Sequence, residues 1–546
     1  MKLHRSHHTG GLSRRGFLIS AASAAVASSI PSALTAQPSN RRFTIREDRF
    51  GRMFPGLEPF FRENSQRLQA AMRDIGKPHG MLDANDRLGD GGRQAAIDLI
   101  VDPLLSANNP NNPAQTAGAT FIGQFLDHDM TFDLTSRLAV VTDPLASPNE
   151  RTPAFDLDSV YGGGPLVDQD LYVVQNPRGR ERPTKLRIES GGLFEDLPRD
   201  GEKTAIIADP RNDENLMIAG LQAAIILFHN RAVDLVRDRD RHLSSEEVFE
   251  RARQLTTWHY QWMIVHEFLP LFIGQPLAND ILRNGRQFYR PQVGFIPVEF
   301  QGAAYRFGHT LVRPSYRANL AGDENGTPFF GMIFDQNGEG ESDPIDLRGG
   351  ARARRRFVGW QTFFDFGPTF TDGPGNPNPA IRPNKLIDSK ISSPLFDLPV
   401  GAIAGGVRRG DPVSLPQRNL LRQITWGMPS GQSIAKLMRV PVVPPDDEVL
   451  RDLKEYHLNL EESTPLWLYV LREGRVFGSE GRHLGPVGGR IVGEVFIGLL
   501  ELDRDSYFSQ RGWRPTLPTR SGRVTGDFRM VDFLTFAGVD PATRGQ

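Results

Sequence analysis

The thirteen residues FIGQFLDHDMTFD, Phe121 to Asp133, decide how the rest of the chain is read. On an α-helix, Gln124, Asp127 and His128 fall within an arc of about 100°, while Asp129 points nearly opposite Asp127. Phe121, Ile122, Phe125, Leu126, Met130 and Phe132 fill the other positions, so the helix is apolar almost all round and belongs in a large core. Two carboxylates and an imidazole cost several kcal/mol there unless each finds a partner. A cofactor on one side and a metal on the other would supply those partners. A lone Asp-His-Asp triplet reads more simply as a surface turn or a self-satisfied polar cluster, and the apolar setting argues against that.

Outward from this helix, the chain of 546 residues has a formal net charge of −1, which gives no reason to expect a nucleic acid or an anionic membrane as partner. It has no cysteine, so disulfides, thiolate haem ligation and cysteine metal sites are excluded, and His, Asp and Glu carry the site chemistry. At the N-terminus, Ser13-Arg14-Arg15-Gly16-Phe17-Leu18-Ile19 precedes a modest apolar run to Ile30 and small residues to about Ala36. The stretch 1–36 resembles a twin-arginine export signal of bacterial type, which predicts a secreted or periplasmic protein. No later segment reads as a membrane helix. Residues 41–546 are expected to form a single domain, with its core over about 116–435.

Downstream of the central helix, Thr152, Ala154, Asp156 and Asp158 alternate at period two and would face one side of an extended loop. Hydroxyl, carbonyl and carboxylate oxygens converging there suit a hard cation, with Asp129 completing a calcium site. An Asx turn is the plainer reading of that segment alone. DPRNDEN, Asp209 to Asn215, opens a long helical run; Arg211 and Glu214 lie one turn apart and read locally as an ordinary ion pair. Ser244 and Glu247 form a capping box for another long helix, through about Phe272. His229 reads as a core histidine, and His259 and His266, seven residues apart, as packing or surface residues. YRFGHTLVRP, Tyr305 to Pro314, places His309 in a helical, apolar setting, and PQRNLLR, Pro416 to Arg422, follows. The arginine run 352–356 reads as a solvated face, and Arg409-Gly410-Asp411 as a chance occurrence of an adhesion tripeptide.

Taken in this order, the segments resemble the animal-type haem peroxidases, from about Gly123 to Gly431, with weaker similarity over 485–496. The resemblance implies a mainly α-helical fold with little sheet around a buried haem. It makes His128 the distal histidine, Gln124 the distal glutamine and Arg211 the distal arginine. Asp127 and Glu214 take the positions that can ester-link a haem derived from haem b. His309 is the proximal iron ligand, Asn419 its hydrogen-bond partner and Arg422 the partner of a haem propionate. Asp129, Thr152, the Ala154 carbonyl, Asp156 and Asp158 hold Ca2+.

The implied activity is reduction of hydrogen peroxide and oxidation of small organic donors, halide or pseudohalide through a ferryl intermediate. The chain departs from its relatives in having Asn215 where the mammalian leukocyte enzyme has a haem-linked methionine. It also has Arg306 where cyclooxygenases place a radical tyrosine. Two alternatives are a haem-dependent fatty-acid dioxygenase of the same fold and a peroxinectin-like adhesion protein.

Overall fold

The computed structural model describes residues 48–86, 108–173, 182–191, 193–320, 322, 328–335, 341–367, 381–403 and 405–544. The export-type sequence over 1–36 lies outside them. Among the described residues, the helices of eight residues or more are α1 (Gln66–Ile75), α2 (Gly118–Met130), α3 (Leu216–Arg239), α4 (Ser245–Met263), α5 (Gln275–Asn284), α6 (Leu415–Thr425), α7 (Gly431–Met438), α8 (Leu466–Phe477), α9 (Pro486–Leu502) and α10 (Met530–Ala537). Sheet there is confined to three antiparallel pairs: β1 (Asn111–Thr116) with β6 (Pro383–Lys385), β2 (Glu189–Ser190) with β3 (Glu195–Asp196), and β4 (Ser315–Arg317) with β5 (Phe330–Met332). The mainly α expectation holds.

One apolar core runs through these helices from Phe50 to Val539. The α3–α4 hairpin forms one wall, with α10 and α2 packed on α3. Helix α9, buried on nearly every side, runs between α8 and α5. Its glycines permit that approach: a Cβ on Gly493 would sit 2.6 Å from the Ile281 side chain. Helix α3 is long and apolar enough to cross a membrane, but 83% of its apolar window is buried inside the protein, as in a core helix.

Helix α4 carries the Ser244–Glu247 capping box, and the helical run continues through the π-helical turns Ile264–Phe268 and the α-helix Leu269–Ile273, close to the expected end at about Phe272. Two expectations are corrected. The arginine run is not a solvated face, because Arg356 is fully buried and donates to the carbonyls of Pro344, Asp346 and Arg348, and the Arg352 side chain is 4% exposed. Carbonyl oxygens satisfy the two terminal nitrogens of Arg356, while its Nε is buried without a hydrogen-bond partner among the described residues. Nor is 152–158 an extended loop throughout: Leu157 sits at φ 60° and Asp158 begins the short helix Asp158–Tyr161.

A buried acid joins α8 to α9. Both oxygens of Glu473 accept from Val487 N, and one also from Gly488 N, at the start of α9. Burial nevertheless pushes its carboxyl up to about 8, from 4.5. An acid raised in the folded state binds its proton more tightly than in the unfolded chain. The stability it contributes is therefore complete below about 4.5 and is lost as pH rises through about 8. Glu473→Gln is expected to flatten the fall in melting temperature between those pH values, and an unchanged profile would remove Glu473 as its source.

Candidate haem and cation sites

Helix α2 starts without a side-chain cap; its first amides bond instead to tertiary carbonyls, Ala117 N to Arg382 and Gly118 N to Phe363. Gly118 is required by crowding, since a Cβ there would lie 2.3 Å from the Phe364 ring. All of α2 is buried except Gly123, Gln124 and Asp127. The polar arc inferred for this helix is thus its one accessible stripe.

His128 is buried at the edge of that stripe, with its Nδ1 2.9 Å from Asn212 Oδ1. Asn212 Nδ2 donates to Gln222 Oε1 at 2.9 Å, which fixes the amide with its oxygen toward the imidazole. The His128 proton therefore sits on Nδ1, and Nε2, which has no protein partner among the described residues, keeps its lone pair. Burial and the Arg211 charge push this imidazole down to about 3, so it is neutral at ordinary pH.

Arg211 lies in the 3-10 turn Pro210–Asp213. Asp209 grips its Nε and one terminal nitrogen at 3.0 and 2.8 Å, the latter also donates to the His128 carbonyl, and the Phe132 ring stacks 4.1 Å beneath. The remaining terminal nitrogen is 4.0 Å from Asp127 Oδ2. Asp209 is itself shared with Arg151, whose other side lies 3.5 Å from Asp158. Asp209 is held well below the usual carboxylate range because these two guanidinium charges outweigh its burial.

Gln124 Nε2 donates to Glu214 Oε1, and Gln124 Oε1 accepts from Asn215 Nδ2 at 3.2 Å. Asn215 also caps α3, accepting from Ile218 N at 3.0 Å. Burial raises Glu214 to about 7 and raises Asp127 as well. The structure therefore brings Gln124, Asp127, His128, Arg211 and Glu214 together.

On the other side, the 3-10 turn Ala304–Phe307 runs into the helix Gly308–Leu311, which packs against α2. Tyr305 donates its hydroxyl to the Gly123 carbonyl at 2.8 Å and ties the two sides together. His309 Nδ1 lies 2.7 Å from Asn419, and its Nε2 has no protein partner among the described residues. Burial and Arg306 push this imidazole down to about 3.

The Asn419 amide is reversed from the expected sense. Its oxygen accepts from Arg306 at 2.9 Å, so its nitrogen faces His309. A guanidinium can only donate, and it takes the oxygen. Arg422 is bound to Asp133 at 2.8 Å, donates to Ser136, and lies over the Trp426 ring at 5.0 Å.

Do these residues fit a haem? Two imidazoles each have Nδ1 held by an asparagine and Nε2 left open, and the half-buried Gly123, Gln124 and Asp127 face an accessible space. Arg306, Arg418 and Arg422 repel one another electrostatically, and their pKa values fall with burial and that repulsion. Carboxylates brought in by a ligand would relieve the excess, so the residues fit.

The cation test also succeeds. Asp129, Asp156 and Asp158 are buried, and one ligand oxygen from each lies within 4.8 Å of the others. Burial and the charges of Asp156 and Asp158 raise Asp129 well above its ordinary value, and burial raises Asp158 too. Thr152 donates its amide and hydroxyl to Asp158 at 3.0 and 3.1 Å, and Ala154 is buried in the same loop. Ser159 and Tyr260 hydroxyls donate to Asp129 at 3.0 and 3.3 Å.

Sequence reasoning missed Asn212, Asp209 and Arg151, which set the His128 tautomer and the Arg211 position. The polar density of DPRNDEN was the available signal for the first two.

Residues 139–337 match the family described as animal haem peroxidase. That span includes Thr152 to Asp158, Arg211, Glu214 and His309, and leaves α2, Asn419 and Arg422 outside. The chain is 32% identical over 113 residues to dual oxidase of Drosophila melanogaster, covering 21% of this chain and 7% of that protein. It is 30% identical over 219 residues to the human probable oxidoreductase PXDNL, covering 37% and 15% respectively. The chain thus spans only a small part of the length of these two relatives. Peroxidase A from Dictyostelium discoideum shares its fold with a TM-score of 0.54 at 16% identity, covering 88% of this chain and 93% of that one.

Proposed function

We propose, from the match of residues 139–337 to the animal haem peroxidase family, that this chain is a haem peroxidase that reduces hydrogen peroxide and oxidises small organic donors, halide or pseudohalide. The observation that carries this reading is His128, whose neutral imidazole presents a lone pair on Nε2 beside a guanidinium gripped from behind by Asp209. A haem would be held through His309 Nε2 and would supply the redox chemistry that cleaves the oxygen–oxygen bond. His128 Nε2 is placed to take the proton from one oxygen of hydrogen peroxide and return it to the other, so that the latter can leave as water. Arg211 places a fixed positive charge where negative charge grows on that leaving oxygen, and its cost of ordering is already met by Asp209 and Phe132. Gln124, held by Glu214 and Asn215, lines the same space.

Asp127 and Glu214 are the carboxylates for ester links to the haem, and burial raises both, Glu214 to about 7. A histidine that binds iron through Nε2 keeps its proton on Nδ1 and needs an acceptor there; Asn419 becomes one when its amide turns over. Arg306 and Arg422 neutralise the propionates. Asp129, Asp156, Asp158, Thr152 and the Ala154 carbonyl hold Ca2+ and fix the end of α2. Export by the twin-arginine route follows from Arg14-Arg15 and suits a cofactor inserted before transport. Arg306 at the place of a radical tyrosine, bonded to Asn419 and the Gln301 carbonyl, leaves fatty-acid dioxygenation without its hydrogen-abstracting group.

Absorption spectra of the haem-loaded protein before and after acid-acetone extraction test the reading. A Soret band that stays with the protein is expected, by ester links at Asp127 and Glu214. A band that is extracted removes the ester assignment, and no band at all removes the haem.

A further inference from the structure

Three of the chain's six tryptophans meet at one place on the surface, far from the stripe of α2 in sequence. Trp513 is half-buried in an exposed turn, between exposed Gly512 and Arg514. Its ring centroid lies 5.2 Å from Trp258, 5.6 Å from Tyr507 and 6.0 Å from Trp262. Trp262 stacks on His266 at 3.8 Å, and the Tyr507 hydroxyl lies 3.3 Å from His266 Nε2.

Packing alone explains a cluster of rings, but it does not explain a phenol bonded to an imidazole stacked on an indole. Burial pushes His266 down to about 4, so the ring is neutral, and in its Nδ1-protonated tautomer Nε2 is placed to accept the Tyr507 proton. Burial pushes the Tyr507 phenol well above its ordinary value, so it cannot lose a proton to water on its own. It can lose an electron and a proton together, with His266 as the base.

The same segment leads inward. Tyr260, two residues before Trp262, bonds to Asp129 beside His128. Phe268, six residues after it at a rise of about 9 Å along the helix, lies against Gly123, where a Cβ would be 3.3 Å from its ring. The π-helical turn Ile264–Phe268 therefore carries His266 on the outer side and Phe268 at the accessible stripe of α2. Widened turns of this kind recur at functional sites.

We propose that Tyr507 and His266 relay electrons from Trp513 to the haem, making Trp513 a second, surface site that oxidises phenolic donors too bulky to reach the buried His128. The proposal rests on the peroxidase reading above. Each relay event moves one electron from Tyr507 toward the haem as the phenolic proton passes to His266 Nε2. A phenol docked at Trp513 then gives up one electron through the indole and its hydroxyl proton to solvent, and His266 returns the proton to Tyr507. Two such events balance one peroxide: two phenols lose two electrons and two protons, and one hydrogen peroxide becomes two waters.

The test uses the haem-loaded full chain, Trp513→Phe and Tyr507→Phe, each keeping a ring in place. Hydrogen peroxide is added with a nitroso spin trap, and adducts are located by peptide mass spectrometry; turnover is compared for a free small phenol and a phenol tethered to a large dextran. The expected result is trapping at Trp513 or Tyr507 in the wild type, and loss of dextran-phenol turnover in both variants with free-phenol turnover kept. Adducts only at other residues, or dextran-phenol turnover untouched by both substitutions, overturn the relay and leave the peroxidase reading standing. If the haem-loaded wild type oxidises neither donor, the peroxidase reading fails and the relay falls with it.

Discussion

His128→Ala is expected to slow the reaction of the haem-loaded protein with hydrogen peroxide by about 10²–10⁴-fold, the usual contribution of a positioned acid-base group. The magnitude follows from what the site lacks once the imidazole is gone. Asp127 and Glu214 are engaged with Thr131 and Gln124 and are assigned above to the ester links, and Arg211 cannot accept a proton. Among the described residues no free imidazole remains beside the stripe of α2 to move the peroxide proton between its two oxygens. Haem content should be unchanged, because the proposed iron ligand, His309, lies on the other side and is untouched. Stopped-flow absorbance under pseudo-first-order peroxide provides the measurement, with the Soret band as the check on loading. Equal rates in wild type and variant would remove His128 from proton transfer and leave Arg211 as the main source of acceleration.

Stripping calcium should have the largest effect on stability. With the cation gone, Asp129, Asp156 and Asp158 are three buried acids facing one another, and the Arg151 charge is divided between Asp158 and Asp209. Leaving buried charge uncompensated costs about 3–5 kcal/mol. A chelator is therefore expected to lower the melting temperature by many degrees, and added Ca2+ to restore it. Asp129→Ala should be less stable than wild type with calcium present and should respond to neither chelator nor Ca2+. Because Arg151 also touches Asp209, which holds Arg211, chelation should slow the peroxide reaction before the protein unfolds. A melting temperature indifferent to chelator in the wild type would exclude a cation from this cluster.

The sequence made the helical character legible because the apolar residues of α2, α3 and α9 recur at helical spacing, and because Ser244 and Glu247 form a recognisable cap. It also made the ligand types legible: a chain without cysteine must use imidazole and carboxylate, and the resemblance named which ones. Thr152 to Asp158 shows where local reasoning stops. Alternation placed its oxygens on one side of an extended loop, whereas Leu157 at positive φ and the helix at Asp158 turn the chain and bring the carboxylates together by another route. The arginines at 352 and 356 read as solvated because charge favours water, yet Arg356 is buried among the carbonyl oxygens of Pro344 and Asp346 and Arg352 lies beside the Asp196 carboxylate.

By itself the sequence determined a helical, cysteine-free chain with an acid-base face on a buried helix and a second histidine some 180 residues later. Only the tertiary structure decided which atoms act. Asn212 sets the proton on His128, Arg306 turns the Asn419 amide, Arg151 joins the carboxylate cluster to Arg211 through Asp209, and the turn at Trp513 meets the rings of α4. Periodicity records which residues share a face of one element. A hydrogen bond's direction, a shared counter-charge or a ring contact depends on the distance between atoms of different elements, and that distance exists only after the chain has packed.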